Sequence, residues 1–178
     1  MISMFAPFMS DEAVANATAA LRCRMIGEGA TVKEFEAALC DRFRFRHALL
    51  LNNGTAGLRL ALAVAGGGPG DEGITTAMTC TATNTPILEQ YAQPIFADVQ
   101  HGTGNMDPAD IAHRITEKTK AIVCMHWGGY PCDMDEIHTI ADRYGLPVIE
   151  DAAHALGASY RGDSIGTISR FTMFSFQA

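Results

Sequence analysis

The chain has 178 residues, a formal net charge of −7, and a composition that is 48% hydrophobic and 19% charged. That length favours one domain with a core of its own. The acidic total outweighs the one basic cluster (Arg42, Arg44 and Arg46, interleaved with Phe43 and Phe45) and argues against nucleic acid or anionic membrane as general partners.

No apolar run is long enough to span a bilayer, and residues 1–8 lack the basic start and apolar stretch of a signal peptide. The five cysteines (Cys23, Cys40, Cys80, Cys124 and Cys132) are scattered, odd in number and without CxxC spacing. They read as reduced thiols of a cytoplasmic protein and speak against zinc or any other metal.

Residues 11–22 read as a helix with Val14, Ala17 and Leu21 on a weak apolar face, interrupted by Ile26-Gly27-Glu28-Gly29. Thr31 opens a second helix. Thr31 and Glu34 match a capping box, in which each side chain bonds the other's free backbone N–H. Val32, Phe35, Leu39 and Phe43 form its expected buried stripe. Ala48-Leu49-Leu50-Leu51 reads as a short buried strand. A helix follows from about Thr55 to Ala65, with Leu58, Leu62 and Ala65 on one face. The run Gly66-Gly67-Gly68-Pro69-Gly70 ends it as a plain turn, because it follows no strand and Pro69 removes a donor.

Next come a strand near Ile74-Thr75-Thr76 and a helix starting near Thr83, with Pro86 in its first turn. Pro94-Ile95-Phe96-Ala97 and Ala121-Ile122-Val123-Cys124 read as strands. Asp107 caps a helix whose first residue is Pro108. Asp133 caps another, which Gly145 closes. Pro147-Val148-Ile149 then runs as a strand into Glu150, Asp151 and His154. Strands recurring with helices between them imply a mostly parallel sheet of the α/β class, with no linker or repeat marking a boundary.

Ligands of open parallel sheets sit beyond the carboxyl ends of the strands, which is where Asp151 lies. A carboxylate among apolar residues needs a partner, either an ordinary cap or buried arginine, or the protonated nitrogen of a ring cofactor. In Asn53-Gly54-Thr55-Ala56 a glycine permits a tight turn, and the next free N–H groups open a helix, which suits a phosphate. Read alone it is an ordinary strand-to-helix turn. Ser175 lies between Phe174 and Phe176, as a phosphate donor or a solvated strand residue. Alone, His154 is a structural residue. Together they suit a cofactor carrying a basic ring nitrogen and a phosphate.

The ordered set of motifs goes further. Phe35-Glu36, Asn53-Gly54-Thr55-Ala56, Gly68-Pro69-Gly70-Asp71-Glu72, Thr79-Cys80-Thr81-Ala82-Thr83 and Thr119-Lys120-Ala121-Ile122 are followed by His126, Gly129 and Asp133-Met134. Glu150-Asp151-Ala152-Ala153-His154, Gly157-Ala158 and Phe174-Ser175-Phe176 complete the set. In this order the chain resembles the DegT/StrS-type sugar aminotransferases, pyridoxal 5'-phosphate enzymes of the aspartate-aminotransferase fold. The resemblance implies a three-layer α/β architecture, a mostly parallel mixed sheet with helices on both faces. Residues 1–178 would be the N-terminal part of the large cofactor-binding domain with its N-terminal helical segment. The remaining strands and the small C-terminal domain would lie outside them.

By position, the resemblance puts Gly54, Thr55 and Ala56 against the cofactor phosphate, with Ser175 as a further ligand. Asp151 would pair with the pyridine nitrogen. His154 stands near the ring oxygen, where the family often has glutamine. Cys80 stands where many members stack an aromatic on the ring; a thiol there is a small polarizable cover. The family's Schiff-base lysine follows the serine of the Phe-Ser-Phe motif by five positions, which falls two residues beyond Ala178. Lys33, Lys118 and Lys120 do not match it. For the complete protein the resemblance implies amino transfer from an amino acid, with glutamate expected, to a nucleotide-linked keto sugar in a cytoplasmic homodimer. A sugar dehydratase of the same family, with histidine in place of that lysine, and a non-catalytic cofactor-binding fragment or subunit stay open beside it.

Overall fold

The computed structural model describes residues 8–24 and 27–177; the readings made at residues 1–7 and at Ile26 lie outside them. The described residues gather into two compact units, one within 1–50 and 176–178 and the other at 51–175.

In the first unit, α1 (Asp11–Arg22) is capped by Ser10, whose Oγ accepts the Ala13 N–H at 3.1 Å. α2 (Ala30–Phe43) departs from the expected capping box. Its N-cap is Gly29, two residues before Thr31, and it makes no side-chain cap bond. Thr31 is already inside the first turn, so its backbone is helical and its hydroxyl cannot take the cap position. The expected buried stripe is also shallower: Val32, Leu39 and Phe43 are half-buried, while Phe35 is exposed, with its ring 5.5 Å from that of Phe176. The strand expected at residues 48–51 does not form. The Leu50 N–H donates to Glu36 Oε1 at 2.8 Å instead of entering a ladder, and Leu49 is exposed.

The second unit holds β1 (Glu72–Thr76), β2 (Gln93–Ala97), β3 (Thr119–Met125), β4 (Val148–Asp151), β5 (Ser159–Tyr160), β6 (Asp163–Ser164) and β7 (Phe171–Met173). Five of these form one sheet in the order β2-β1-β3-β4-β7, and every pairing in it is parallel. β5 and β6 form a separate antiparallel hairpin. Pro94, which cannot donate to a ladder, lies on the edge strand β2.

Side-chain alternation along the strands builds the layers. Ala121 and Val123 of β3 pack with Leu58, Ala61 and Leu62 of α3 (Gly54–Ala65) and Ile87 of α4 (Thr81–Glu89). Ile122 and Cys124 point the other way. They pack with Ile111 of α5 (Pro108–Arg114) and with Met134, Ile137 and Ala141 of α6 (Met134–Tyr144). Helices therefore cover both faces of a mostly parallel sheet, the architecture expected. Strands buried on both faces read as continuous apolar runs, which is why β3 was plain in the sequence.

Most helix ends fall where the caps were read. Asp107 Oδ1 accepts the Ala109 N–H at 3.0 Å with Pro108 following, and Gly145 ends α6 in the left-handed region at φ 66°. Two readings need correction. α4 begins two residues before Thr83, with Cys80 as its N-cap, so Pro86 lies in the interior and not in the first turn. The helix tolerates this because Thr83, Pro86 and Ile87 form one buried stripe whose packing offsets the missing bond. Asp133 stands at the N-cap of α6 but makes no cap bond. Its Oδ2 instead accepts from Gln100 Nε2 at 2.7 Å.

Candidate active site

The same alternation decides where the two acids of β4 go. Val148 belongs to the α6 side and Ile149 to the α3 side, so Glu150 returns to the α6 side and Asp151 to the α3 side. Asp151 is 3% exposed. Its Oδ2 accepts from Thr83 Oγ1 at 2.6 Å and its Oδ1 from the Ala153 N–H at 3.1 Å. Burial pushes this carboxyl above its usual pKa, and the bonds from Thr83 and Ala153 partly restrain it. Thr83 also bonds Thr79, and its N–H donates to the Cys80 carbonyl at 3.0 Å. The first turn of α4 thus joins Asp151 to the exposed Cys80.

The N-terminus of α3 and the exit from β7 lie together. β7 pairs with β4 so that Met173 sits opposite Asp151, and the Ala152 N–H donates to the Met173 carbonyl at 2.8 Å. A Cβ on Gly54 would lie 2.7 Å from Met173 Sδ and 3.7 Å from Ser175 Cβ, and one on Gly57 would lie 3.1 Å from Met173 Cγ. The helix start and Met173 approach this closely because both glycines lack a side chain, and Ser175 follows two residues on. Thr55 and Ala56 are half-buried in that first turn. Asn53 Oδ1 accepts the Ala56 N–H at 2.8 Å. For Ala56 to donate to an anion, Asn53 must turn away.

His154 is exposed, three residues past Asp151, with its ring edge-on to Trp127 at 5.9 Å between centroids. The loop carrying it presses on Gly129, which has φ +84°; a Cβ there would lie 2.6 Å from the His154 carbonyl oxygen. We expect Gly129→Ala to lower stability by about 2–4 kcal/mol, from left-handed strain plus a backbone clash. Urea unfolding of the complete protein measures it, and a loss under about 0.5 kcal/mol, the range of ordinary surface changes, would contradict this packing.

On the α6 side, Glu150 and His126 are fully buried. Glu150 Oε2 pairs with His126 Nε2 at 2.8 Å, and Oε1 accepts the Ser169 N–H at 3.0 Å and Thr172 Oγ1 at 3.1 Å. Burial opposes a charged carboxylate here, but the bonds with His126 and Ser169 outweigh it and hold the Glu150 pKa below the usual range. Burial likewise opposes a charged His126, and a charged Cys132 sulfur beside Glu150 would lift its pKa to about 9. The Cys132 sulfur, however, donates to the Met125 carbonyl at 3.1 Å, so it is a protonated thiol. The Cys132 N–H also points at His126 Nδ1 at 3.1 Å, and that atom accepts only while it carries no proton. The ring is neutral, with its proton on Nε2 toward Glu150.

Sequence reasoning did not single out Thr83, Glu150 or His126 as site residues. A signal was present for Glu150: two adjacent acids ending a strand buried on both faces must put one carboxylate on each. Nothing local marks the bond from Thr83, which spans 68 residues.

Among the described residues no three His, Cys, Asp or Glu side chains group to hold a metal, and no helix is long and apolar enough to cross a membrane. Lys118 and Lys120 lie at the start of β3, the end opposite this crevice, and Lys120 Nζ is 3.8 Å from Asp71 Oδ1. A buried carboxylate with lone pairs to spare and a helix N-terminus faced by a serine fit a cationic ring nitrogen and a phosphate.

The model of the DegT/DnrJ/EryC1/StrS aminotransferase family matches residues 7–178. The chain belongs to that family. It is 40% identical over 172 residues to the spore coat polysaccharide biosynthesis protein SpsC of Bacillus subtilis, covering 97% of this chain and 44% of SpsC. Among solved structures, Spr1654 of Streptococcus pneumoniae in its PMP form superposes with a TM-score of 0.95 at 33% identity, over 100% of this chain and 48% of that one; Spr1654 has also been solved in a PLP form. DesI, solved in the presence of its TDP-sugar product, superposes with a TM-score of 0.83 at 37% identity, over 92% of this chain and 42% of DesI. The chain thus spans under half the length of these relatives. Pyridoxal phosphate is the cofactor of the DegT/DnrJ/EryC1/StrS family.

Proposed function

We propose that this chain is part of an enzyme that uses pyridoxal phosphate to move an amino group from an amino acid, glutamate in our reading, to a keto sugar carried on a nucleotide. The observation that carries the reading is Asp151: a buried carboxylate at the carboxyl end of β4, on the face where the N-terminus of α3 and Ser175 meet. The nucleotide-linked substrate is inferred from DesI and its TDP-sugar product.

When bound, pyridoxal phosphate would supply an aldehyde carbon that carries the amino group between donor and acceptor, and an electron-withdrawing ring beside it. Asp151 holds a proton at the ring nitrogen. Thr83 fixes one of its oxygens and the Ala153 N–H the other. Gly54 and Thr55 offer the phosphate the positive end of α3, with Ser175 opposite, and Ala56 joins them once Asn53 turns away. His154 would reach the ring oxygen and Cys80 would cover a ring face.

We place the protein in the cytoplasm, in keeping with the free cysteines found among the described residues. We read it as a homodimer, in keeping with the exposed Val14 and Leu21 on α1, which invite a covering surface.

The deciding experiment incubates the complete protein with glutamate labelled at nitrogen and TDP- or UDP-linked keto sugars. We expect labelled amino sugar and equimolar 2-oxoglutarate by mass spectrometry. Loss of water from the sugar with no nitrogen gained would overturn the aminotransferase reading in favour of a dehydratase.

A further inference from the structure

β7 is only three residues long and pairs with β4 at three positions. It nevertheless carries both the Met173 contact with Gly54 and Gly57 and, two residues on, Ser175. Three pairs with β4 give a strand little hold on its register, and a slip of one residue would exchange its two faces. Thr172 would then leave the α6 side and Met173 the α3 side.

Glu150 opposes that slip. One carboxylate oxygen binds two points on the arriving segment, the Ser169 N–H just before β7 and the Thr172 hydroxyl within it. The other is held by His126 at the end of β3, and His126 is fixed in turn by the Cys132 N–H. Ser169 has a second tie, its Oγ lying 2.8 Å from His138 Nε2 on α6. The carboxylate therefore spans β3, β4 and β7 from the side opposite Asp151.

We propose that Glu150 is a positioning residue for the phosphate subsite: by binding Ser169 and Thr172 it sets the register of β7, and through β7 the place of Ser175 against the first turn of α3. This rests on the reading of Gly54, Thr55 and Ser175 as phosphate ligands. Glu150 itself touches neither ring nor phosphate. Its influence falls on the phosphate end of the cofactor and spares the ring end, where Asp151 is held separately by Thr83 and Ala153.

The test compares pyridoxal phosphate with pyridoxal, which has the same ring and no phosphate, as ligands of the complete protein freed of cofactor. The variants are Glu150→Gln, Thr172→Val, Thr172→Ser and Ser175→Ala. In Thr172→Val the carboxylate and its other bonds stay, so this variant keeps the test open if Glu150→Gln does not fold. We expect Thr172→Val and Glu150→Gln to raise the Kd for pyridoxal phosphate about tenfold, the scale of one bond to a charged group. The Kd for pyridoxal should change less than about twofold, while Thr172→Ser binds both as the wild type does. Equal weakening of both ligands, or no change in either, in Thr172→Val would overturn the role of Glu150. If Ser175→Ala shows no difference between the two ligands, the phosphate assignment itself fails, and the proposal fails with it.

Discussion

Replacing Asp151 by asparagine lowers turnover of the complete protein about 100-fold or more, the scale set by loss of a preorganised charge at a reacting centre, and leaves its stability at neutral pH equal or higher. Two consequences of one burial lie behind the pair of outcomes. The carboxylate can hold a proton at a ring nitrogen only while it is charged, and an amide of the same shape cannot. The cost of keeping it charged appears in its raised pKa, whose first cause is burial. A carboxyl whose folded pKa exceeds its unfolded value is bound more tightly by its proton in the folded state. Folding stability from this group therefore rises as pH falls through the folded value, and the penalty is fully present above that value. Asparagine removes that penalty while still accepting from Thr83 or Ala153. Steady-state turnover, and the thermal midpoint of the protein freed of cofactor, check the prediction. Near-normal turnover would remove Asp151 from the chemistry. A large fall in midpoint alongside lost turnover would make it a structural residue.

The parts of the fold legible in the sequence are those whose signals are local and redundant. β4 was legible because Pro147-Val148-Ile149 is a short apolar run with Gly145 two residues before it, and α5 because Asp107 and Pro108 fix its start on two grounds. Residues 48–51 offered only apolarity, which a strand and an irregular extended segment share; Glu36, fourteen residues upstream, claims the N–H that a ladder would have needed. The start of α4 was displaced by a general rule about Pro86 that the tertiary packing of Thr83 and Ile87 overrides. Thr31 and Asp133 show the same limit for caps: each has a suitable residue type at suitable spacing, but Gly29 caps α2 ahead of Thr31 and Gln100 diverts the Asp133 carboxylate. At the site, the family motifs named Asp151, Gly54 and Ser175 one by one. What holds them, Thr83 for Asp151 and Glu150 for β7, is non-local and becomes visible only with the strands paired.

Replacing Glu150 by alanine costs about 3–5 kcal/mol, the scale expected when three donors inside the protein lose one shared, charged acceptor. Typical domains have only about 5–15 kcal/mol in total. The loss has three parts: His126 Nε2–H, the Ser169 N–H and the Thr172 hydroxyl all lose their acceptor at once, inside protein. Pairing as such is not the cause. Arg59 and Glu89 also pair, at 2.6 Å, but on the surface with Arg59 half exposed, and Arg59→Ala should cost under about 1 kcal/mol. The two variants compared by urea unfolding separate burial from charge. The pH dependence has a definite sign. Glu150 has a folded pKa below its unfolded value, so its contribution is present above the ordinary carboxylate range and is lost as pH falls through the folded value. The gap between wild type and Glu150→Ala should therefore be widest at neutral pH and narrow in acid. A gap that stays constant from neutral to strongly acidic pH would show that the cost is a packing cavity, and that the buried carboxylate does not draw its stability from the bonds it accepts.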